Sequence, residues 1–260
     1  MELPVFSPEE VISFLLVFLR VGTLIILMPV LGHRIVPSTA KIGLIGLLTI
    51  VLYPLVETTL PFIPASPELL LVLALQEVLI AGMLAMLAQL IFAAAQFAGQ
   101  VMSYQMGLAI ANVFDPGTSA QIAVVGQFAT VLAMLVWLSV GAHNTFLLSL
   151  ADSFHLLPIG QPWHINGLNM LNDAAANMFV LALRMTAPMM LLLFFLYVAL
   201  GLLARAVPQI QVFFVSFPLT VALGFLAFAL AIPAIITLMR DSFLGLSWQV
   251  PLLLRALAGQ

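Results

Sequence analysis

From Glu68 to Ala111 the sequence runs for about 44 residues without a proline. A single helix of that length, at 1.5 Å per residue, would be about 66 Å long. The hydrocarbon core of a bilayer is only about 30 Å thick. The run therefore folds into two spans or projects beyond the lipid, and a projecting apolar helix needs other protein to cover it. The rest of the chain is equally apolar, at 64% hydrophobic and 7% charged residues. Soluble domains are nearer half apolar and a quarter charged. In lipid, a helix satisfies its own backbone hydrogen bonds. The fold class expected is an all-α integral membrane protein.

The formal net charge of −3 gives no basic surface for nucleic acid. With no cysteine, disulfides, thiolate catalysis and cysteine–zinc sites are excluded. Met1 to Pro4 lacks a positive n-region, and the first apolar run contains Arg20 with no small-residue cleavage site after it, so that run is expected to be retained. No linker, low-complexity tail or repeat divides the chain, which reads as one domain over residues 1–260.

Ser7-Pro8-Glu9-Glu10 is a helix start: Ser caps, Pro suits the first turn and acids favour the N-terminal dipole. That helix is expected to reach about Met28, where Pro29, Gly32 and Pro37 break it. A second is expected from Ala40 to about Leu52, ended near Pro54, with Pro61, Pro64 and Pro67 as a stiff connector after it. Gln121 to Ala151 reads as another long helix, interrupted by Gly141-Ala142-His143-Asn144. Asp173 to Val207 follows with a kink at Pro188, then Phe213 to Met239 with Pro218 and Pro233 inside it. The tail Arg240 to Gln260 is amphipathic at best. Hydropathy gives about six apolar spans, arranged as long, kinked helical hairpins.

The most polar and breakable stretch is Gln96 to Gln127, with amides at Gln96, Gln100, Gln105, Asn112, Gln121 and Gln127. At its centre lies Asn112-Val113-Phe114-Asp115-Pro116-Gly117. Pro116 fixes its own φ and turns Asp115 away from helix, while Gly117 tolerates positive φ. A broken segment at membrane depth is tolerated only where protein buries it or water lines it. The loop reads as closing a passage. Upstream, at about 100° per residue from Gln89, the residues Gly82, Ala85, Gln96, Gln100, Ser103 and Gly107 fall in one narrow arc. Such a stripe is either a close-packing seam, because small residues let membrane helices approach, or a wall facing a watery passage.

Arg20, Glu77 and Arg184 interrupt apolar runs. Each costs about 2.5 to 3.5 kcal/mol at a helix centre, so such residues face protein and pair. A structural ion pair of Glu77 with Arg184 or Arg20 is the simpler expectation, ahead of a proton relay, which needs several acids or histidines in series. P-loop, HExxH and G-x-S-x-G motifs are absent, and His33, His143, His155 and His164 lack metal-ligand spacing. No enzyme activity and no cofactor are expected. Asp115, beside Pro-Gly, is read as a turn residue.

Several blocks then fall into a known order. They begin with Arg20-Val21-Gly22, Pro29, Gly32, Pro37, Lys41 and Pro54, followed by Glu77-Val78-Leu79-Ile80-Ala81-Gly82. Ala98-Gly99 and Gln105-Met106-Gly107-Leu108-Ala109 lead into Asp115-Pro116, with Ser153-Phe154 and Pro158 beyond. Ala182-Leu183-Arg184-Met185-Thr186-Ala187-Pro188 comes next. The most specific block runs from Gly201 through Arg205, Pro208 and Gln209, with Val212-Phe213 and Phe217-Pro218 after it. In order and spacing the chain resembles the FliR family of flagellar type III export-gate proteins, whose relatives serve virulence-type injectisomes. It departs mildly at Ala142, where the family often has a first histidine, and at Gln211, where it often has Asn. The first departure puts a special role for that histidine pair in question.

The resemblance implies a subunit that assembles with FliP and FliQ, joined by FlhB, into a closed helical gate. It implies a place in the bacterial inner membrane within the flagellar basal body, with contact to membrane lipid and helices largely lifted out of the bilayer plane. Unfolded flagellar export substrates would cross through the gate. The loop from Gly107 to Gln121 would plug it, with Val113 and Phe114 as apolar stoppers and Gly107 and Gly117 as hinges. The alternatives are an assembly scaffold that does not line the pore, or the equivalent injectisome subunit. A small-solute transporter would call for paired repeats.

Overall fold

Long apolar runs with few breakers fold here as long helices. The computed structural model describes residues 8–34, 36–57, 66–108, 124–164, 166–207 and 212–259. Among them the elements are α1 (Pro8–Leu27), α2 (Ser38–Glu57), α3 (Pro67–Gln105), α4 (Val124–Val140), α5 (Ala142–Leu156), α6 (Asn166–Ala206) and α7 (Val212–Leu257). No strand occurs among the described residues. At 1.5 Å per residue, α3, α6 and α7 measure about 58, 61 and 69 Å, each about twice a bilayer core.

Two compact units form, and the chain passes between them repeatedly. The first comprises residues 1–90, 141–174 and 244–260; the second comprises 91–140 and 175–243. Neither unit is continuous in sequence.

In the first unit α1 packs on α2, and α2 touches α5. The buried face of α1 carries Leu16, Val17, Arg20, Val21, Leu24, Ile25 and Met28, at the three-to-four residue spacing of one helix side. The turn after α1 is stitched by Gly32 N–H donating to the Met28 carbonyl at 2.8 Å and by Lys41 Nζ donating to the Gly32 carbonyl at 2.7 Å. Gly32 is required there, since a Cβ would stand 2.8 Å from the Met28 carbonyl oxygen.

In the second unit a T-shaped and tilted cluster joins Phe92, Trp137 and Phe243, with ring centroids 5.3 to 5.8 Å apart. Near it α3 and α4 cross at Gly99 and Gly126. A Cβ on Gly99 would sit 2.7 Å from the Gly126 backbone nitrogen and 2.9 Å from the Val125 carbonyl oxygen. This is close approach by small residues of the kind that membrane helices use.

The structure amends the expected elements at two points and gives two others their bounds. α2 continues through Pro54 to Glu57, because a proline near a helix end removes only one internal hydrogen bond. α3 ends at Gln105, short of Ala111. Gly141, at φ 70°, separates α4 from α5 at the interruption expected within Gln121–Ala151. The tail, expected to be amphipathic at best, continues α7 to Leu257, with Leu246, Val250, Leu253, Leu254 and Leu257 fully buried along one face. Among the described residues four helices are long and apolar enough to cross a membrane, or up to five counting α4 with α5 as one span. About six were expected from hydropathy; Ser38–Pro54 is a further, shorter apolar helix outside this set.

Candidate functional site

α3 carries Glu77 and the glutamines Gln89, Gln96, Gln100 and Gln105 that the sequence singles out. The last carbonyls of an α-helix have no donor within the helix. At the end of α3, Tyr197 Oη on α6 donates to the Gln105 carbonyl at 2.6 Å. Thr220 on α7 lies 3.4 Å from the Met106 carbonyl, and its hydroxyl makes a shorter bond, 3.0 Å, to the Phe217 carbonyl. The Met106 side chain is fully buried against Gly224, where a Cβ would stand 2.8 Å from the Met106 methyl. Gly107 then turns the chain at φ 75°, with its N–H donating to the Tyr104 carbonyl at 3.0 Å. That conformation suits glycine because a Cβ is crowded there.

The chain thus leaves α3 from a fixed base. The expected plug residues Asn112, Val113, Phe114, Asp115, Pro116 and Gly117 lie outside the described residues, as does Gln121. Gln105 Oε1, near the end of α3, is buried with no hydrogen-bond donor among the described residues.

The glutamine stripe does not pack as one face. Gln89 and Gln96 are exposed, and Gln100 and Gln105 are half-buried. Ala85 and Ser103, at one margin of the arc, are buried. Gln89 Nε2 donates to the Leu27 carbonyl at 2.7 Å, capping the end of α1. The tight α3–α4 seam at Gly99 and Gly126 lies off this stripe.

In the first half of α3, Glu77 is fully buried and accepts a hydrogen bond from Arg20 Nε in an ion pair. Arg20 Nη1 also donates to the Ser153 carbonyl at 3.0 Å and lies 3.3 Å from Ser153 Oγ. The guanidinium sits 4.4 Å from the Phe154 ring centroid, on its face. α1, α3 and α5 therefore meet at one buried charge cluster. Of the two arginines weighed as partners for Glu77, Arg20 is the one in place. Arg184, expected as a buried charge, is exposed on α6, where its neighbours around the helix, Val180, Leu183 and Leu191, are exposed too. Sequence reasoning missed the roles of Ser153, Phe154 and Tyr197. Their one signal was the Ser153-Phe154 block, and nothing in the pattern pointed to Tyr197.

Arg205 lies exposed in the last turn of α6 and Pro218 is exposed near the start of α7, while Pro208 and Gln209 lie outside the described residues.

The model of a family described as bacterial export proteins, family 1, matches residues 11–246. The chain is similar to the flagellar biosynthetic protein FliR of Bacillus subtilis, 35% identical over 238 residues, covering 89% of this chain and 90% of that one. It is 36% identical to the FliR protein of Escherichia coli K12 over 220 residues, covering 84% of this chain and 83% of that one. The FliR protein of Aquifex aeolicus is 29% identical over 239 residues, covering 91% of this chain and 92% of that one.

Proposed function

The chain belongs to the bacterial export proteins, family 1, the family of the flagellar biosynthetic FliR proteins, and from that premise we propose that it is a subunit of the flagellar type III export gate. In this reading it assembles with FliP and FliQ, joined by FlhB, in the bacterial inner membrane within the flagellar basal body. Unfolded flagellar proteins cross through the channel, and the 107–121 loop plugs it. The chain carries no reaction of its own.

The observation that carries this reading is the anchored end of α3. A plug that yields to a passing polypeptide and then reseals needs a rigid base and a tip able to move. Tyr197, Met106 and Gly107 form such a base. Val113 and Phe114 are apolar, and apolar constrictions seal by excluding water while leaving a path for an unfolded chain. The lengths of α3, α6 and α7 support a home among other subunits, since lipid alone covers about half of each.

The test is a deletion within Asn112–Thr118 in the complete assembly. Assembly should be retained and ion leakage across the membrane should rise. An intact gate with unchanged conductance removes the plug. A stalled export substrate that cross-links to a photoreactive residue at Phe114 separates a channel-lining subunit from a scaffold.

A further inference from the structure

One stripe of α6 is exposed among the described residues. Asn177, Val180, Arg184, Leu191, Phe195 and Leu202 lie within about 40° of Arg184 around the helix, and all are exposed. Among the described residues Arg184 makes no hydrogen bond or ion pair. Its own unit, residues 91–140 and 175–243, contains only two carboxylates, Asp115 and Asp241, and Asp241 stands next to Arg240. Four residues beyond Arg184, Pro188 lacks the N–H that would have bonded the Arg184 carbonyl. An unpaired cation and a freed acceptor therefore occur at one level of an apolar stripe.

Lipid does not satisfy this stripe. Placing Arg184 among the headgroups on one side of a bilayer leaves Phe179, Val180 and Leu183, all about half exposed, on the watery side of it. Exposed Leu168 lies further out still, about 24 Å along the helix from Arg184. Moving those residues into the lipid carries Arg184 into the hydrocarbon, where an arginine costs several kcal/mol and faces protein. A guanidinium in apolar surroundings is best matched by a carboxylate, which it can bind with two parallel hydrogen bonds.

We infer that this stripe of α6 docks an apolar helix of a neighbouring protein, and that this helix brings an aspartate or glutamate opposite Arg184. The inference rests on the export-gate reading only in taking the neighbour to be another subunit of that assembly.

The experiment uses the full chain, produced with its native partners in its own membrane. R184K keeps the charge and offers an amine, which a membrane-permeable carbodiimide joins to a carboxylate in contact with it. Mass spectrometry of the cross-linked product is expected to find one link, from position 184 to an Asp or Glu within an apolar segment of another protein. R184E is expected to lower the recovered complex about tenfold, a loss of about 1.4 kcal/mol. Reversing the identified carboxylate to lysine should restore that complex. A photoreactive residue replacing Leu191 reads the same face without touching the charge. Links from both positions to phospholipid alone, or wild-type assembly of R184E, overturn the docking. The readout needs no export activity: the carboxylate link without any change in conductance on plug deletion keeps the docked helix and removes the plug.

Discussion

Arg20 and Glu77 stand 57 residues apart in sequence and share an ion pair that leaves neither side chain any exposed surface. One nitrogen, Arg20 Nη2, and one oxygen, Glu77 Oε1, remain without a partner in this pair. Removing one member of a buried pair strands the other charge and costs about 3–5 kcal/mol, while an apolar pair of similar volume is often tolerated. Arg20→Met and Glu77→Leu are each expected to reduce the folded chain recovered from membranes sharply. The double substitution should recover most of it. Thermal unfolding in detergent measures this, and a double variant no more stable than either single one defeats the expectation.

The α3–α4 crossing makes a second prediction. Gly99→Ala forces a methyl against the Gly126 backbone, which cannot rotate away as a side chain would. Overpacking of this kind costs about 1–3 kcal/mol. Gly43→Ala in α2, where nothing lies within 4 Å of the added carbon, serves as the control. Removing a helix-interior glycine there should be neutral or stabilising by up to about 1 kcal/mol. Equal effects of the two substitutions on melting temperature would show that the crossing is not tight.

Much of this arrangement is readable from the residues and some is not. The breaks at Pro29, Gly32 and Pro67 are legible because proline and glycine act on their own backbone, whatever surrounds them. The need of Glu77 for a cation is legible because a charge in an apolar run must pair. Its choice of Arg20 over Arg184 is not, since both sit in apolar runs. That choice depends on α5 bringing Ser153 and Phe154 to Arg20. The seam at Gly99 is hidden among many small residues on α3, where periodicity favoured the glutamine arc instead. The plug assignment comes from family likeness rather than from physics local to Asp115-Pro116-Gly117.

The burial of the C-terminal part of α7 predicts that it is required for the first unit. His164 N–H donates to the Leu257 carbonyl at 2.8 Å, and a Cβ on Gly167 would collide with the Leu257 side chain, 2.8 Å from its Cγ. Leu257→Ala empties a fully buried site and should cost about 2–5 kcal/mol. Leu252→Ala, at a half-exposed position five residues earlier, should cost far less. Proteolysis rates of the two variants in native membranes make the comparison, and equal rates would show that the first unit does not depend on this part of α7.

Tyr197→Phe tests the base from which the chain leaves α3. The substitution keeps the ring and removes only the hydroxyl that donates to the Gln105 carbonyl at 2.6 Å. A single net hydrogen bond contributes about 0.5–1.5 kcal/mol, and Tyr197 is about half exposed, so water compensates part of the loss. The lower half of that range applies. Amide exchange at Gly107, whose N–H closes the turn onto Tyr104, should therefore quicken by about two- to fivefold, following the lower part of that energy range. Gly107→Ala acts at the same point through the backbone, because φ 75° is crowded for any residue with a Cβ. If the turn is the hinge of a seal, both variants should leak ions more readily than wild type while assembling normally. Unchanged exchange at Gly107 in Tyr197→Phe would mean that the hydroxyl does not hold the end of α3. Faster exchange without added leakage would separate the anchoring of this turn from the sealing of the channel.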